Sequence, residues 1–328
     1  MYFSDYMQEW LYGDEGYYKN FKAIGKDGDF YTAVSTSPFF GASIANYLWQ
    51  CIQDGSIPRN ALLLEIGAHQ GHLIGDMIQW LFTCDPTLIE SMRFAIVERQ
   101  PKLQDAQRKY FIERFGDDVT IEQYSSLAQL DEKYAFVISN EIFDAFPCEL
   151  LKGKQIATVQ EHSILWEDAP QDLLKRAERH HLNRGEIAVG YEDFAQEIEE
   201  SFMHCDFLSF DYGEKYVRND FSIRIYKQHE TLPLFDEELQ LANEFQKSDI
   251  TYDVNFQDIM DSFGSLGFEL VHYETQARAL VRFGLIEMLE DFAKQTTQAI
   301  YLREVDKIKT LLAPTMMGDK FKLIHLKK

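Results

Sequence analysis

No window of the 328-residue chain holds eighteen uninterrupted apolar residues, so no segment reads as a membrane-spanning helix and no membrane insertion is expected. The opening stretch, Met1 to Trp10, has neither a basic cluster nor a long apolar run, and it is not expected to work as a targeting signal. Cysteine is scarce. Cys51, Cys84, Cys148 and Cys205 are each more than thirty residues apart and form no C-x-x-C pair, which points to a reducing, cytoplasmic setting rather than a disulfide framework. Nine histidines include no H-E-x-x-H helix face; His69 and His72 stand three apart without a third ligand nearby, so no metal is expected. Basic residues are also in short supply: 32 Lys+Arg against 54 Asp+Glu give a formal net charge of −22. That balance makes a nucleic-acid backbone a poor partner and would attract a cationic ligand such as a sulfonium or a guanidinium.

What is present is ample core material, 45% hydrophobic and 14% aromatic residues, enough for one large domain with insertions or for two. From Ala61 onward short apolar runs alternate with helical patterns, the signature of stacked βα units and a mainly parallel sheet. Leu62-Leu63-Leu64 ends at Glu65, and Leu73, Ile74, Met77, Ile78 and Leu81 then recur at helical spacing. Phe94 to Val97 ends at Glu98, a helix is expected over 101–115, Val119-Thr120-Ile121 reads as a third strand, and Ala135 to Ile138 as a fourth closing at Asn140. Runs at 207–210, 268–273 and 321–326 supply three more, the last two antiparallel partners across a helical excursion from 275 to 312. A seven-stranded α/β sheet of Rossmann-like type results. Residues 1–60 do not repeat the pattern and are expected to form a cap contributing to the active site, with a helix over 38–51. The core would then be 61–328, with an added hairpin near 147–166, a polar loop plus helix over 228–265, and the helical segment 275–315.

Open α/β sheets bind ligands beyond the carboxyl ends of their strands, so the polar strand ends carry the functional reading. Glu65-Ile66-Gly67-Ala68-His69-Gln70-Gly71-His72-Leu73 lies between the first strand and its helix. Its glycines would let backbone approach a ligand, and the helix start offers free N–H groups. Glycines at 67 and 71 alone do not make G-x-G-x-x-G, which disfavours a nicotinamide dinucleotide. An acid opening such a turn and an acid closing the second strand, Glu65 and Glu98, are instead the arrangement of class I methyltransferases, where the second acid meets ribose hydroxyls. The bland alternative is that Gly67 and Gly71 only permit a tight turn. After the fourth strand comes Asn140-Glu141-Ile142-Phe143-Asp144-Ala145-Phe146-Pro147. Its carboxylates could grip a guanidinium, or Asn140 and Asp144 could simply satisfy turn backbone.

These segments, taken in order, resemble the MidA family of S-adenosylmethionine-dependent methyltransferases, relatives of the mitochondrial arginine methyltransferase acting in complex I assembly. The resemblance is carried by Gly16-Tyr17-Tyr18, Gly28-Asp29-Phe30-x-Thr32, Ser37, Phe40-Gly41, Glu65-x-Gly67 through Gly71-x-Leu73, Asp76 and Val97-Glu98. It continues through Asn140-Glu141-x-x-Asp144-Ala145-x-Pro147, Asp211-Tyr212-Gly213, Arg224-x-Tyr226-x-x-His229, Asp249-x-Thr251, Thr275-Gln276 and Met317-Gly318-x-x-Phe321-Lys322. The set spans essentially the whole chain. It implies a class I fold, S-adenosyl-L-methionine as cofactor and methylation of a protein arginine, with a respiratory-complex subunit as one candidate acceptor. Carried over by position, Glu65, Gly67, Gly71 and Glu98 would contact the cofactor and Thr32 and Ser37 would close over it. Asn140, Glu141 and Asp144 would line the acceptor side, with Glu141 and Asp144 orienting the guanidinium and taking up its proton. The chain departs from the family where Ala68 and His69 replace the proline and middle glycine of the turn, where Val34-Ser35 replaces Pro-Glu, and at Asp253 and Asn255. Positive φ at His69 would be costly for a non-glycine residue. An assembly or binding protein that keeps the fold without catalysis, and a small-molecule methyltransferase, are the competing readings.

Overall fold

The computed structural model describes residues 1–19, 32–216, 218–227 and 230–328. The chain divides into two compact units, the larger made of 32–140, 197–211 and 267–328 and the smaller of 1–31, 141–196 and 212–266. This division cuts across the boundary expected at residue 60, because the helix Phe39–Gln53 is built into the larger unit. At Gly41 a β-carbon would lie 2.9 Å from the Cβ of Asp76 on the helix His72–Cys84. Only glycine lets these two helices approach so closely.

In the larger unit seven strands are labelled in chain order: β1 Leu62–Ile66, β2 Arg93–Val97, β3 Ile121–Tyr124, β4 Glu132–Asn140, β5 Phe202–Glu214, β6 Glu269–Thr275 and β7 Phe321–Lys327. They lie in the order β6-β7-β5-β4-β1-β2-β3. Strands β3, β2, β1, β4 and β5 run parallel, and β6 and β7 pair antiparallel as the sequence pattern requires. Leu64 sits between Ala95 of β2 and Val137 of β4. Strands of this kind are covered on both faces, which is why they read as unbroken apolar runs rather than alternating ones. Leu73, Ile74, Met77, Ile78 and Leu81 are all buried along the helix His72–Cys84, and the helix Pro101–Phe115 begins with proline in its first turn.

The third strand is displaced from its expected place at 119–121. Gly116 adopts φ 59° and Asp118 N–H returns to the Phe115 carbonyl at 3.2 Å, so the turn consumes those residues. Pairing starts only at Ile121, opposite Phe94, and is extended by Glu98 N–H donating to the Tyr124 carbonyl at 2.8 Å. The helical excursion consists of three helices, Gln276–Arg282, Leu285–Gln295 and Gln298–Leu312.

The smaller unit is richer in strands than expected. The predicted hairpin is part of a four-stranded antiparallel sheet in the order Ser163–Asp168, Gln155–Gln160, Cys148–Lys152, Arg184–Ala188. The helix Gln171–Arg179 covers it, burying Leu173 and Ala177 with Leu151, Ile156 and Ile187. The predicted polar loop over 228–265 contains the strands Glu230–Pro233 and Asp249–Thr251, which flank Arg224–Lys227 in an antiparallel ribbon, before the expected helix appears at Phe256–Gly264. The misreading has a cause: strands this short and polar show little alternation. The first helix, Phe3–Tyr12, is tied in by Trp10, whose indole N–H donates to the Ser248 carbonyl at 2.7 Å.

Candidate active site

The larger unit brings Glu65, Gly67, Gly71 and Glu98 to the carboxyl ends of β1 and β2, with Asn140 closing the neighbouring β4. Gly67 has φ 72° and is exposed, so the backbone at the end of β1 is uncovered. Gly71, φ 81°, begins the helix His72–Cys84. A β-carbon there would meet the Phe111 ring at 2.9 Å and the Ile96 side chain at 3.3 Å. Gly71 is therefore required by the close packing of the turn on the helix Pro101–Phe115.

His69 does adopt a left-handed backbone, φ 46°. Its carbonyl is held by the fully buried Gln107, whose amide donates to it at 2.7 Å while accepting from the Gln123 amide at 2.8 Å. This clamp was invisible in the sequence, since a lone glutamine in a helical stretch carries no distinguishing signal. It offsets a strain of about 1–2 kcal/mol that glycine would not incur.

Glu65 is 4% exposed, and one of its carboxyl oxygens accepts the Ile74 N–H at 3.0 Å in the first turn of the helix. Burial pushes its pKa up to about 8; the Ile74 bond opposes this and the Asp76 charge adds to it. Asp76 itself is paired with Arg114 at 2.8 Å. Glu98 is likewise buried, and burial raises its pKa although its carboxylate accepts the Gln100 N–H at 2.8 Å. A cationic ligand would restore the charge on Glu65, and the Glu98 carboxylate is an acceptor for hydroxyl groups. Open left-handed backbone between two buried acids at adjacent strand ends fits an adenosyl sulfonium.

Thr32 and Ser37 bracket the short helix Ala33–Thr36 in the same unit. Thr32 forms a capping box with Ser35, and the buried Ser37 hydroxyl lies 3.4 Å from a Glu304 oxygen while accepting the Phe39 N–H. Gly28-Asp29-Phe30 and His229 lie outside the described residues. Among the described residues no group of three or more His, Cys, Asp or Glu side chains could hold a metal ion, and no helix is long and apolar enough to cross a membrane.

In the smaller unit Glu141 is another non-glycine residue in the left-handed region, φ 54°. Asp144 lies in the 3-10 turn Phe143–Ala145 and is 4% exposed. The Tyr212 hydroxyl donates to its Oδ2 and stands 2.6 Å from Thr251 Oγ1. Burial raises the Asp144 pKa to about 6, opposed by the Tyr212 hydrogen bond and by the Arg224 charge. Arg224 lies over the Tyr212 ring at 4.7 Å and pairs with Asp253 at 2.6 Å. A carboxyl in this range is ionised at neutral pH yet more basic than a solvated one, as suits a proton acceptor.

A family model described as "Putative S-adenosyl-L-methionine-dependent methyltransferase" matches residues 43–273. The chain belongs to this family. That family is described as S-adenosyl-L-methionine-dependent, and the chain has its mixed α/β fold. The mitochondrial protein arginine methyltransferase NDUFAF7 of Xenopus laevis is 27% identical over 175 residues, covering 45% of this chain and 38% of that protein. The Bos taurus protein of the same name is 26% identical over 166 residues, covering 44% and 37%. These matches span well under half of either vertebrate relative. The Drosophila melanogaster homologue is 24% identical over 374 residues, covering 98% of this chain and 80% of its own length. A crystal structure of a Burkholderia thailandensis protein bound to S-adenosyl-homocysteine shares the fold, with a TM-score of 0.84 and 22% identity over 100% of this chain and 88% of that one.

Proposed function

We propose that the chain methylates a protein arginine, with Glu141 and Asp144 as the carboxylates that handle the guanidinium. The observation that carries this reading is Asp144, a buried carboxyl with its pKa raised to about 6. Support also comes from the relatives, named protein arginine methyltransferases at 24–27% identity. When bound, S-adenosyl-L-methionine would supply a sulfonium methyl group, whose carbon accepts a nitrogen lone pair while the S–C bond breaks and leaves the thioether. A guanidinium keeps its proton at neutral pH, so a residue of the chain must take that proton as the new N–C bond forms. In this reading Asp144 takes it and Glu141 holds the remaining N–H edge. Proximity and charge supply the rest.

The test is methyl transfer from labelled S-adenosyl-L-methionine into protein acceptors, with mass spectrometry for methylarginine. Asp144→Asn is expected to lower turnover by about 100-fold or more, the usual contribution of a positioned acid or base. Full activity in the Glu141→Gln, Asp144→Asn double variant removes both from the mechanism. Label found only on lysine, or only on small amines, replaces the arginine reading. A second reading, a protein that keeps the fold without turnover, rests on the non-glycine His69 at φ 46°. Calorimetry decides it: micromolar donor binding, about −8 kcal/mol, supports the enzyme, and absence of heat supports the scaffold.

A further inference from the structure

Two sequence motifs, Asp211-Tyr212-Gly213 and Arg224-x-Tyr226, are absorbed by neither the cofactor site nor the proposed chemistry. Within the smaller unit they meet. The Tyr212 hydroxyl donates to the Asp144 carboxylate and neighbours Thr251 Oγ1 at 2.6 Å. The Arg224 guanidinium lies 4.7 Å from the centre of the Tyr212 ring. Arg224 is itself anchored on three sides, donating through Nε to the Tyr226 hydroxyl at 2.8 Å and through Nη1 to the Ser222 carbonyl at 3.0 Å and to Asp253 at 2.6 Å. Gly213 explains why Tyr212 can stand there: a β-carbon at 213 would fall 2.1 Å from the Val254 carbonyl oxygen, and the residue's φ is 151°. The glycine lets the chain after Tyr212 run against Val254, which pairs with it.

We propose that Tyr212 and Arg224 are positioning residues that aim the Asp144 carboxylate and keep it ionised. Tyr212 fixes the carboxylate plane by a charge-assisted hydrogen bond. Arg224 fixes the Tyr212 ring by stacking, and its charge favours the ionised carboxylate. Other ionisable groups face the same place: Tyr252, whose N–H donates to the Asp144 carbonyl at 3.3 Å, and Tyr18, which donates to the buried Asp249 at 3.0 Å. Burial raises the pKa of both tyrosines; Asp249 adds to it at Tyr18, and Tyr191 and Cys148, then Asp144, add to it at Tyr252. Both stay neutral, and Arg224 is a cation among the described residues whose charge lowers the Asp144 pKa. The inference rests on the reading of Asp144 as proton acceptor, and its test separates the two.

The test follows the Asp144 carboxyl carbon by NMR in aspartate-labelled protein, beside the pH profile of methyl transfer. Tyr212→Phe is expected to raise the Asp144 pKa by about one unit, the loss of a hydrogen bond to a charged group. The acid limb of kcat should move up with it while the KM for the donor stays put. Arg224→Gln is expected to move the titration the same way, and it keeps the Tyr212 hydroxyl should Tyr212→Phe fold poorly. An Asp144 titration unmoved in folded variants overturns the inference. A titration that moves while the acid limb stays where it was leaves the inference standing and removes Asp144 as the proton acceptor.

Discussion

At the scale of single residues, pH separates the two buried carboxyls. Asp144 has its pKa raised to about 6 by burial. As the proposed proton acceptor it works in its charged form, so kcat should climb with pH through about 6 and level off above. Stability has the opposite sign: a carboxyl whose folded pKa exceeds its unfolded value stabilises the fold fully at low pH, and that contribution is lost as pH rises through the folded pKa. Asp144→Asn should therefore lose about 100-fold or more in turnover yet melt no lower than the parent at pH 8. Glu65, at about 8, follows the same rule over a window reaching higher. The melting advantage of Glu65→Gln over the parent, read by calorimetry, should grow between pH 5 and pH 9. The Gln107 clamp gives a third expectation. Gln107→Ala removes the bond to the His69 carbonyl and one of the two bonds the Gln123 amide donates, a loss of about 1–3 kcal/mol in urea unfolding. His69→Gly should recover part of it by removing the left-handed strain.

At the scale of elements, the turn after β1 is where packing and ligand demands meet. Gly71→Ala would place a methyl 2.9 Å from the Phe111 ring at φ 81°, and overpacking of that kind costs about 1–3 kcal/mol. The loss should appear in the melting temperature even in the absence of any donor. Which elements could be read from the sequence follows from the same physics. Strands β1, β2 and β4 are covered on both faces, so their apolar runs stand out, and the acids and the amide that end them could be named. The ribbon around Arg224–Lys227 could not be read, because strands of three or four residues with polar faces leave no period. The contact of Arg224 with the Tyr212 ring joins residues twelve apart through a fold that no local pattern encodes. Gln107 was hidden for the same reason: its partners at His69 and Gln123 are 38 and 16 positions away.

At the scale of the whole molecule, acid should be the larger unit's weakness. Asp206 and His325 are both 2% exposed and bonded at 2.8 Å, with Tyr134 on the other carboxylate oxygen and Lys327 at 3.2 Å. Burial alone would raise the Asp206 pKa, but His325, Tyr134 and Lys327 outweigh it and hold it below the ordinary value. Burial lowers that of His325. Both folded values lie below the unfolded ones, so both contributions are present at neutral pH and disappear as pH falls. Melting temperature should fall below about pH 6 as His325 is forced to take up charge, and again below about pH 4 through Asp206; Asp206→Asn should remove the lower step. Each unit is also assembled from three separate pieces of chain, interleaved along the sequence. A ribosome must therefore release residues through Leu266 before the smaller unit has all its parts, and through β7 before the sheet is complete. Nascent chains would emerge with unmet strand edges until β7 is made, and no cut at a single loop could liberate either unit as a folded fragment.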